Sequence, residues 1–262
     1  MWMMLTSINI ILMVLAWFVC TSNKRAGLVD VTWALGLGLN TIIAAISLDQ
    51  SPIQLRLFLG IASSIWFIRL GVHLLRRYIN EEEEDSRYAT MRKAMGKFQH
   101  IGFLLFFLFQ AGLILLFVAP IVLLLSEPAN AWDSSLNTLI GISFGIFVLA
   151  FAGESLADHQ LYEFKKNREN KGKTMDQGLW KYSRHPNYFF EWTHWIIYPL
   201  LGLAAGLYSL WIYPVLMFVF LYYFTGIPFS EKQALLSKGD NYKRYQEKTP
   251  AFFPWKPKDI ET

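Results

Sequence analysis

The sequence predicts an all-α protein: a polytopic integral membrane bundle of about seven transmembrane helices, N-terminus outside and C-terminus cytoplasmic. Three observations carry this expectation. Hydrophobic residues make up 54% of the 262 and charged residues 17%, a balance that soluble domains of this length do not show. The apolar residues fall into seven runs, each near the roughly 20 residues needed to cross a bilayer. Lysine and arginine collect in alternate connections.

The first run, about 3–21, has no basic flank before it and no small-residue cleavage site after it. It reads as a retained helix rather than a cleavable signal peptide. Runs at about 28–48, 53–75, 100–125 and 136–158 follow. The sixth, 187–206, contains Pro199, which a membrane helix tolerates as a kink. The seventh, 208–229, follows a tight link at Gly206–Tyr208. The other breaks carry turn or polar chemistry: Thr21–Gly27, Asp49–Pro52, Arg76–Lys97, Ser126–Ser135 and Gln160–Pro186, with a polar tail after Ser230.

The cations then set the orientation. Lys24 and Arg25 lie in the first connection, Arg76, Arg77, Arg87, Arg92, Lys93 and Lys97 in the third, Lys165 to Arg184 in the fifth, and Lys232 to Lys258 in the tail. The second, fourth and sixth connections hold almost none, Arg56 being the exception. Basic connections face the cytoplasm, and a bacterial inner membrane suits the pattern. The chain reads as one membrane-embedded domain, 1–262. A single cysteine, Cys20, excludes an intrachain disulfide and a Cys-based zinc site. The acidic run Glu81–Asp85, beside Arg76, Arg77 and Arg87, reads as a solvated helix continuation with local charge pairs.

Ionisable residues at membrane depth are costly unless paired or wetted, so they are functional candidates. Here they are Asp30, Arg69, His73, Glu154, Asp158, Glu191 and His194, each toward the cytoplasmic end of its run. Arg69 and His73 share a face at i, i+4, as do Glu154 and Asp158; Glu191, His194 and Tyr198 form an i, i+3, i+7 stripe. A cavity open to the cytoplasm accounts for the set; a structural ion pair, such as Asp30 with Arg69, accounts for individual members. The Lys165–Arg184 segment runs into Gly178-Leu179-Trp180-Lys181-Tyr182-Ser183-Arg184-His185-Pro186-Asn187-Tyr188. Its cations, rings and amides suit the phosphates, base and carboxamide of a nucleotide. Anionic lipid headgroups are the alternative partner.

Other patterns carry less. Gly36-Leu37-Gly38 lacks the third glycine and the preceding strand of a dinucleotide fingerprint. Gly141-x-x-x-Gly145 and Gly202-x-x-x-Gly206 read as helix-packing contacts. Glu191-x-x-His194 has no second copy, so no di-iron site, and no other metal site, is expected.

With these residues assembled, the chain resembles the bacterial branch of the membrane steroid 5α-reductase family, including its uncharacterised relatives. The resemblance is strongest from Gly153 to Trp255. It rests on the 178–192 run through Phe189-Phe190-Glu191-Trp192, on Gly153-Glu154-Ser155-Leu156-Ala157-Asp158, Tyr242-Lys243-Arg244-Tyr245-Gln246 and Phe253-Pro254-Trp255. Val29-Asp30-Val31-Thr32-Trp33 and Arg69-Leu70-Gly71-Val72-His73 add to it. It implies a seven-helix reductase that uses NADPH on a lipophilic enone, typically a 3-oxo-4-ene steroid, with membrane lipid around it and no nucleic-acid partner. Asp158, Lys165, Tyr182, Asn187, Glu191 and Tyr245 fall where that family holds NADPH, and Glu154, Lys173, Trp180, Arg184 and His185 join the expected cofactor set. Asp30 falls where it places an acidic residue facing the substrate carbonyl. His73 or a tyrosine would support Asp30; Trp33, Arg69, His194 and Tyr198 would line the substrate. Departures are Phe190, at a position often glycine, Glu154, where animal members often carry asparagine, and Ile227-Pro228, in place of a more polar stretch.

Hydride adds to the β-carbon of an enone only if the developing enolate oxygen is stabilised, the role expected of Asp30. Two other readings stay open. A membrane methyltransferase using S-adenosylmethionine shares the Arg184-His185-Pro186 run and an acidic residue soon after it, although the cations around Lys165–Lys173 suit a phosphorylated dinucleotide better. A non-catalytic lipid-binding protein is the third.

Overall fold

The computed structural model describes residues 1–80 and 83–259. Glu81 and Glu82 of the acidic run, and residues 260–262, lie outside the described residues. Among those described, regular structure is entirely helical. The main helices are α1 (Trp2–Asn23), α2 (Leu28–Ser47), α3 (Ile53–Asn80), α4 (Ser86–Met95), α5 (Gln99–Ser126), α6 (Leu136–Lys166), α7 (Pro186–His194), α8 (Ile197–Gly202), α9 (Ile212–Val219), α10 (Ile227–Lys238) and α11 (Asp240–Lys248).

Six helical stretches are long and apolar enough to cross a membrane: Trp2–Asn23, Leu28–Ser47, Ile53–Asn80, Ser86–Ser126, Leu136–Lys166 and Tyr208–Lys238. The protein is an integral membrane protein. The expected sixth span, 187–206, is divided: α7 has nine residues and α8 six, with a turn at Trp195–Ile196 between them. Pro199 lacks the N–H that would bond the carbonyl of Trp195, so the helix breaks there. At 1.5 Å per residue neither piece spans about 30 Å of hydrocarbon. Two helices outrun their expected ends, α3 to Asn80 and α6 to Lys166. The third connection also contains a helix of its own, α4, started by Asp85, whose side chain accepts the Arg87 backbone N–H.

The chain divides into two compact units, Met1–Asp133 and Ser134–Thr262. In the first, α2 packs on α1, α3 and α5. α1 buries the stripe Leu5, Asn9, Met13, Ala16 and Cys20 and leaves Met3, Ile11, Leu15 and Phe18 exposed, as a lipid-facing helix does. Asn9 and Asn40, fully buried, exchange amide hydrogen bonds of 2.8 and 3.2 Å, so neither of these two amides is left bare at membrane depth. Gly36 and Gly38 serve close packing: a Cβ on Gly36 would lie 2.8 Å from Ile114.

In the second unit α6 packs on α7 and α8. A Cβ on Gly153 would lie 2.4 Å from the Phe190 ring. The bulk at 190 is thus admitted by the glycine opposite it. Gly202 meets Leu207 and Leu210, whereas Cβ atoms on Gly141 and Gly145 would have nothing within 4 Å. The expected packing role therefore holds for Gly202, but not for Gly206, whose Cβ would meet nothing within 4 Å, or for the 141–145 pair.

Candidate functional site

In the first unit the polar cluster is built around Asp30, one turn into α2. Arg87 Nη2 donates to Asp30 Oδ2 at 2.8 Å, and the Tyr88 hydroxyl donates to Oδ1 at 2.7 Å. The cation at Asp30 is therefore Arg87, not Arg69. Arg87 also grips Asp85, through Nε at 3.0 Å and Nη2 at 3.0 Å, and Arg77 Nη2 reaches the same carboxylate at 2.8 Å. Burial alone would raise the Asp85 carboxyl, but its bonds to Arg87 and the two guanidinium charges hold it below the ordinary value. Tyr88 is buried, while about a quarter of the Asp30 side chain and a third of Arg87 stay exposed. A niche of 20 Å³ lined by Gly27, Asp30, Leu74, Arg77, Tyr78, Asp85 and Arg87 adjoins them, room for about one water.

The other residues expected with Asp30 lie apart from these hydrogen bonds. His73 sits on an exposed face of α3. Arg69 is half-buried with its guanidinium 5.5 Å from the Trp66 ring centroid. Trp33 packs edge-on against Phe117, and its indole N–H is buried without a hydrogen-bond acceptor.

In the second unit α6 and α7 bring the acidic candidates together. Asn187 Nδ2 donates to Asp158 Oδ1 at 3.3 Å, while the Asn187 carbonyl oxygen is buried without a donor. Glu154, one turn before Asp158, is buried. Glu191 accepts the Trp195 indole N–H at 3.0 Å, and His194 Nε2 lies 3.2 Å from the Tyr198 hydroxyl, both of that pair buried. Seven positions beyond Asp158, α6 reaches Lys165 at the rim of a 510 Å³ concavity. Its lining includes Lys165, Arg168, Lys171, Lys173 and Lys238 and no carboxylate.

The remaining expected cofactor residues divide by their partners. Tyr182 is exposed. Trp180 donates to the Ala157 carbonyl at 3.0 Å, and the Tyr245 hydroxyl donates to the carbonyls of Trp180 and Ser183. Arg184 bonds Glu231 through Nε at 2.7 Å and the Gln246 and Thr249 carbonyls through Nη1. His185 lies 3.2 Å from Glu231. Burial holds its imidazole below the ordinary pKa, the Glu231 contact offsetting only part of that. Burial likewise pushes the Tyr242 and Tyr245 phenols up. These contacts form a clasp: Arg184 and Ser183 fasten the 249–252 backbone to the 180–185 loop, Tyr245 bonds the same loop, His185 joins at Glu231, Trp180 ties the loop to α6, and Trp255 N–H reaches the Tyr182 carbonyl.

Residues 16–249 match the family described as Protein of unknown function (DUF1295). The chain belongs to the DUF1295 family. A relative in that comparison of whole chains is the Uncharacterized protein C594.04c of Schizosaccharomyces pombe (strain 972 / ATCC 24843), 25% identical over 268 residues, covering 91% of this chain and 75% of the relative. No solved structure matches. The DUF1295 match takes in Asp30, Arg87, Tyr88, Asp158 and Lys165. Sequence reasoning missed Arg87 and Tyr88 as partners of Asp30, and Glu231 as the anchor of the clasp. A usable signal for the first was the pairing of an acidic run with Arg77 and Arg87 in one short connection.

Proposed function

We propose that this protein is an NADPH-dependent reductase that reduces the C=C of a lipophilic enone, with 3-oxo-4-ene steroids as the representative substrate class. The observation that carries this reading is the alignment on α6 of Asp158, bonded to the Asn187 amide, with a concavity whose charged side chains are all cations. Asp158 and Lys165 share a face of one helix, about 10 Å apart along its axis. Asp158 is an acceptor, the Asn187 carbonyl is a buried oxygen awaiting an N–H, and an amide supplies that N–H. The cations around Lys165 and Lys173 fit phosphates, the 2′-phosphate included. NADPH, when bound, supplies the hydride.

The chain's own residues provide the rest. In the Asp30 cluster the group able to meet negative charge is the Arg87 guanidinium, a permanent cation. Asp30 aims it, Tyr88 fixes Asp30, and the cation stabilises negative charge developing on the enone oxygen. Tyr88 replaces His73 as the supporting group. Apolar helix faces keep the substrate in lipid. The basic connections orient the cofactor site to the cytoplasm, and a bacterial inner membrane is the proposed location.

Cofactor preference tests this reading. Purified protein in nanodiscs, titrated by nucleotide fluorescence, should bind NADPH well and NADH poorly. Lys165→Ala with Lys173→Ala should narrow the preference by about tenfold, the worth of a charge-assisted contact. Equal affinity for both nucleotides in the unmodified protein contradicts the assignment.

A further inference from the structure

We infer that Asp85 is a positioning residue, whose carboxylate, together with Asp30, holds the Arg87 guanidinium in the orientation from which its charge meets the enone oxygen. The inference rests on the role proposed for Arg87. Arginine is long and flexible, and the rotamer entropy of its side chain opposes any one conformation. Arg87 is restrained at two edges: Asp85 takes Nε at 3.0 Å and Nη2 at 3.0 Å in a fork, and Asp30 takes the other direction of Nη2 at 2.8 Å. Asp85 is itself fixed. Its Oδ1 accepts the Arg87 backbone N–H at 2.9 Å, and Arg77 clamps Oδ2 at 2.8 Å. The order Arg77, Asp85, Arg87, Asp30 alternates in sign, so each charge has an opposite neighbour and the row tolerates partial burial. Only about a tenth of the Asp85 side chain is exposed, so the fork is shielded from competing water.

The bland role for Asp85 is that of a helix cap for α4. Asparagine separates the two, because it caps as well as aspartate but carries no charge. The test compares the full-length protein in nanodiscs with Asp85→Asn, Asp85→Glu and Asp85→Ala. The readouts are kcat and KM for NADPH-dependent enone reduction, NADPH affinity, hydrogen exchange over α4, and the rate at which phenylglyoxal modifies Arg87, read by peptide mass spectrometry. Asp85→Asn should keep α4 protected and NADPH affinity unchanged, lower kcat about tenfold or more, and speed modification of Arg87 severalfold while exposed Arg76 reacts as before. Asp85→Glu should restore part of kcat. Wild-type kcat with Arg87 still protected in Asp85→Asn overturns the inference, whether or not Asp85→Ala unfolds α4. If the unmodified protein reduces no enone, the proposed activity fails alone. The Arg87 modification rate then decides the role of Asp85, and an unchanged rate overturns it.

Discussion

Asp30 meets groups that lie 57 and 58 residues further along the chain. That it matters was visible in the sequence, because a carboxylate just inside an apolar run demands a partner or water. The identity of the partner was not. Arg69 shares the apolar run of α3 and looks the nearer cation, but the orientation of a ten-residue helix in the third connection brings Arg87 instead. Asp30→Leu should cost the Arg87 guanidinium one of its two carboxylates and leave the Tyr88 hydroxyl without its acceptor. The pair is partly solvated, so the stability loss should be about 1–3 kcal/mol rather than that of a fully buried ion. Enone turnover should drop about 10²–10³-fold, the usual effect of disabling one oxyanion-type donor. Adding Arg87→Met should recover thermal stability but not turnover, and adding Arg69→Met should recover neither. Turnover restored in the Asp30→Leu, Arg87→Met double variant would remove both residues from the chemistry.

Among the elements, the long apolar helices were the most legible, since length and composition alone fix them. The breaks were less so. Pro199 reads as a kink in a continuous span, yet the missing bond to Trp195 and the turn beside it leave two short helices. The clasp was harder still. Trp180, Arg184, His185 and Tyr245 read as cofactor contacts because they are polar, whereas their partners, the Ala157 carbonyl for Trp180, Glu231 for Arg184 and His185, the Thr249 carbonyl for Arg184 and the Trp180 and Ser183 carbonyls for Tyr245, depend on how α6 and the tail meet the loop. The clasp has its own pH signature. His185 has a folded pKa below its ordinary value of about 6.5, so the unfolded chain takes up a proton first as pH falls. The stabilisation is complete above that value and is lost as pH drops through the folded one, with a slope of at most about 1.4 kcal/mol per pH unit. Melting curves from pH 7.5 to pH 5 should show a shallower decline for His185→Gln, which stays neutral throughout, than for the unmodified protein. Parallel curves would mean that His185 takes up its proton equally readily in the folded and unfolded chain, against its lowered folded pKa.

At the scale of the whole molecule, composition and apolar length already point to a helical membrane protein. Division into two compact units was not legible, because no linker composition marks Asp133 and Ser134. The proposed roles divide in the same way: groups that hold a phosphorylated dinucleotide belong to the second unit, and groups that polarise a carbonyl to the first. The account stands or falls on one transfer. Purified protein in nanodiscs should be given a 3-oxo-4-ene steroid and NADPH carrying deuterium at C4 of the nicotinamide, in separate 4R and 4S forms. The expected result is oxidation of the cofactor with one deuterium delivered to the β-carbon of the saturated product, from one of the two forms. No oxidation of NADPH with any lipophilic enone, together with saturable binding of S-adenosylmethionine, would contradict it.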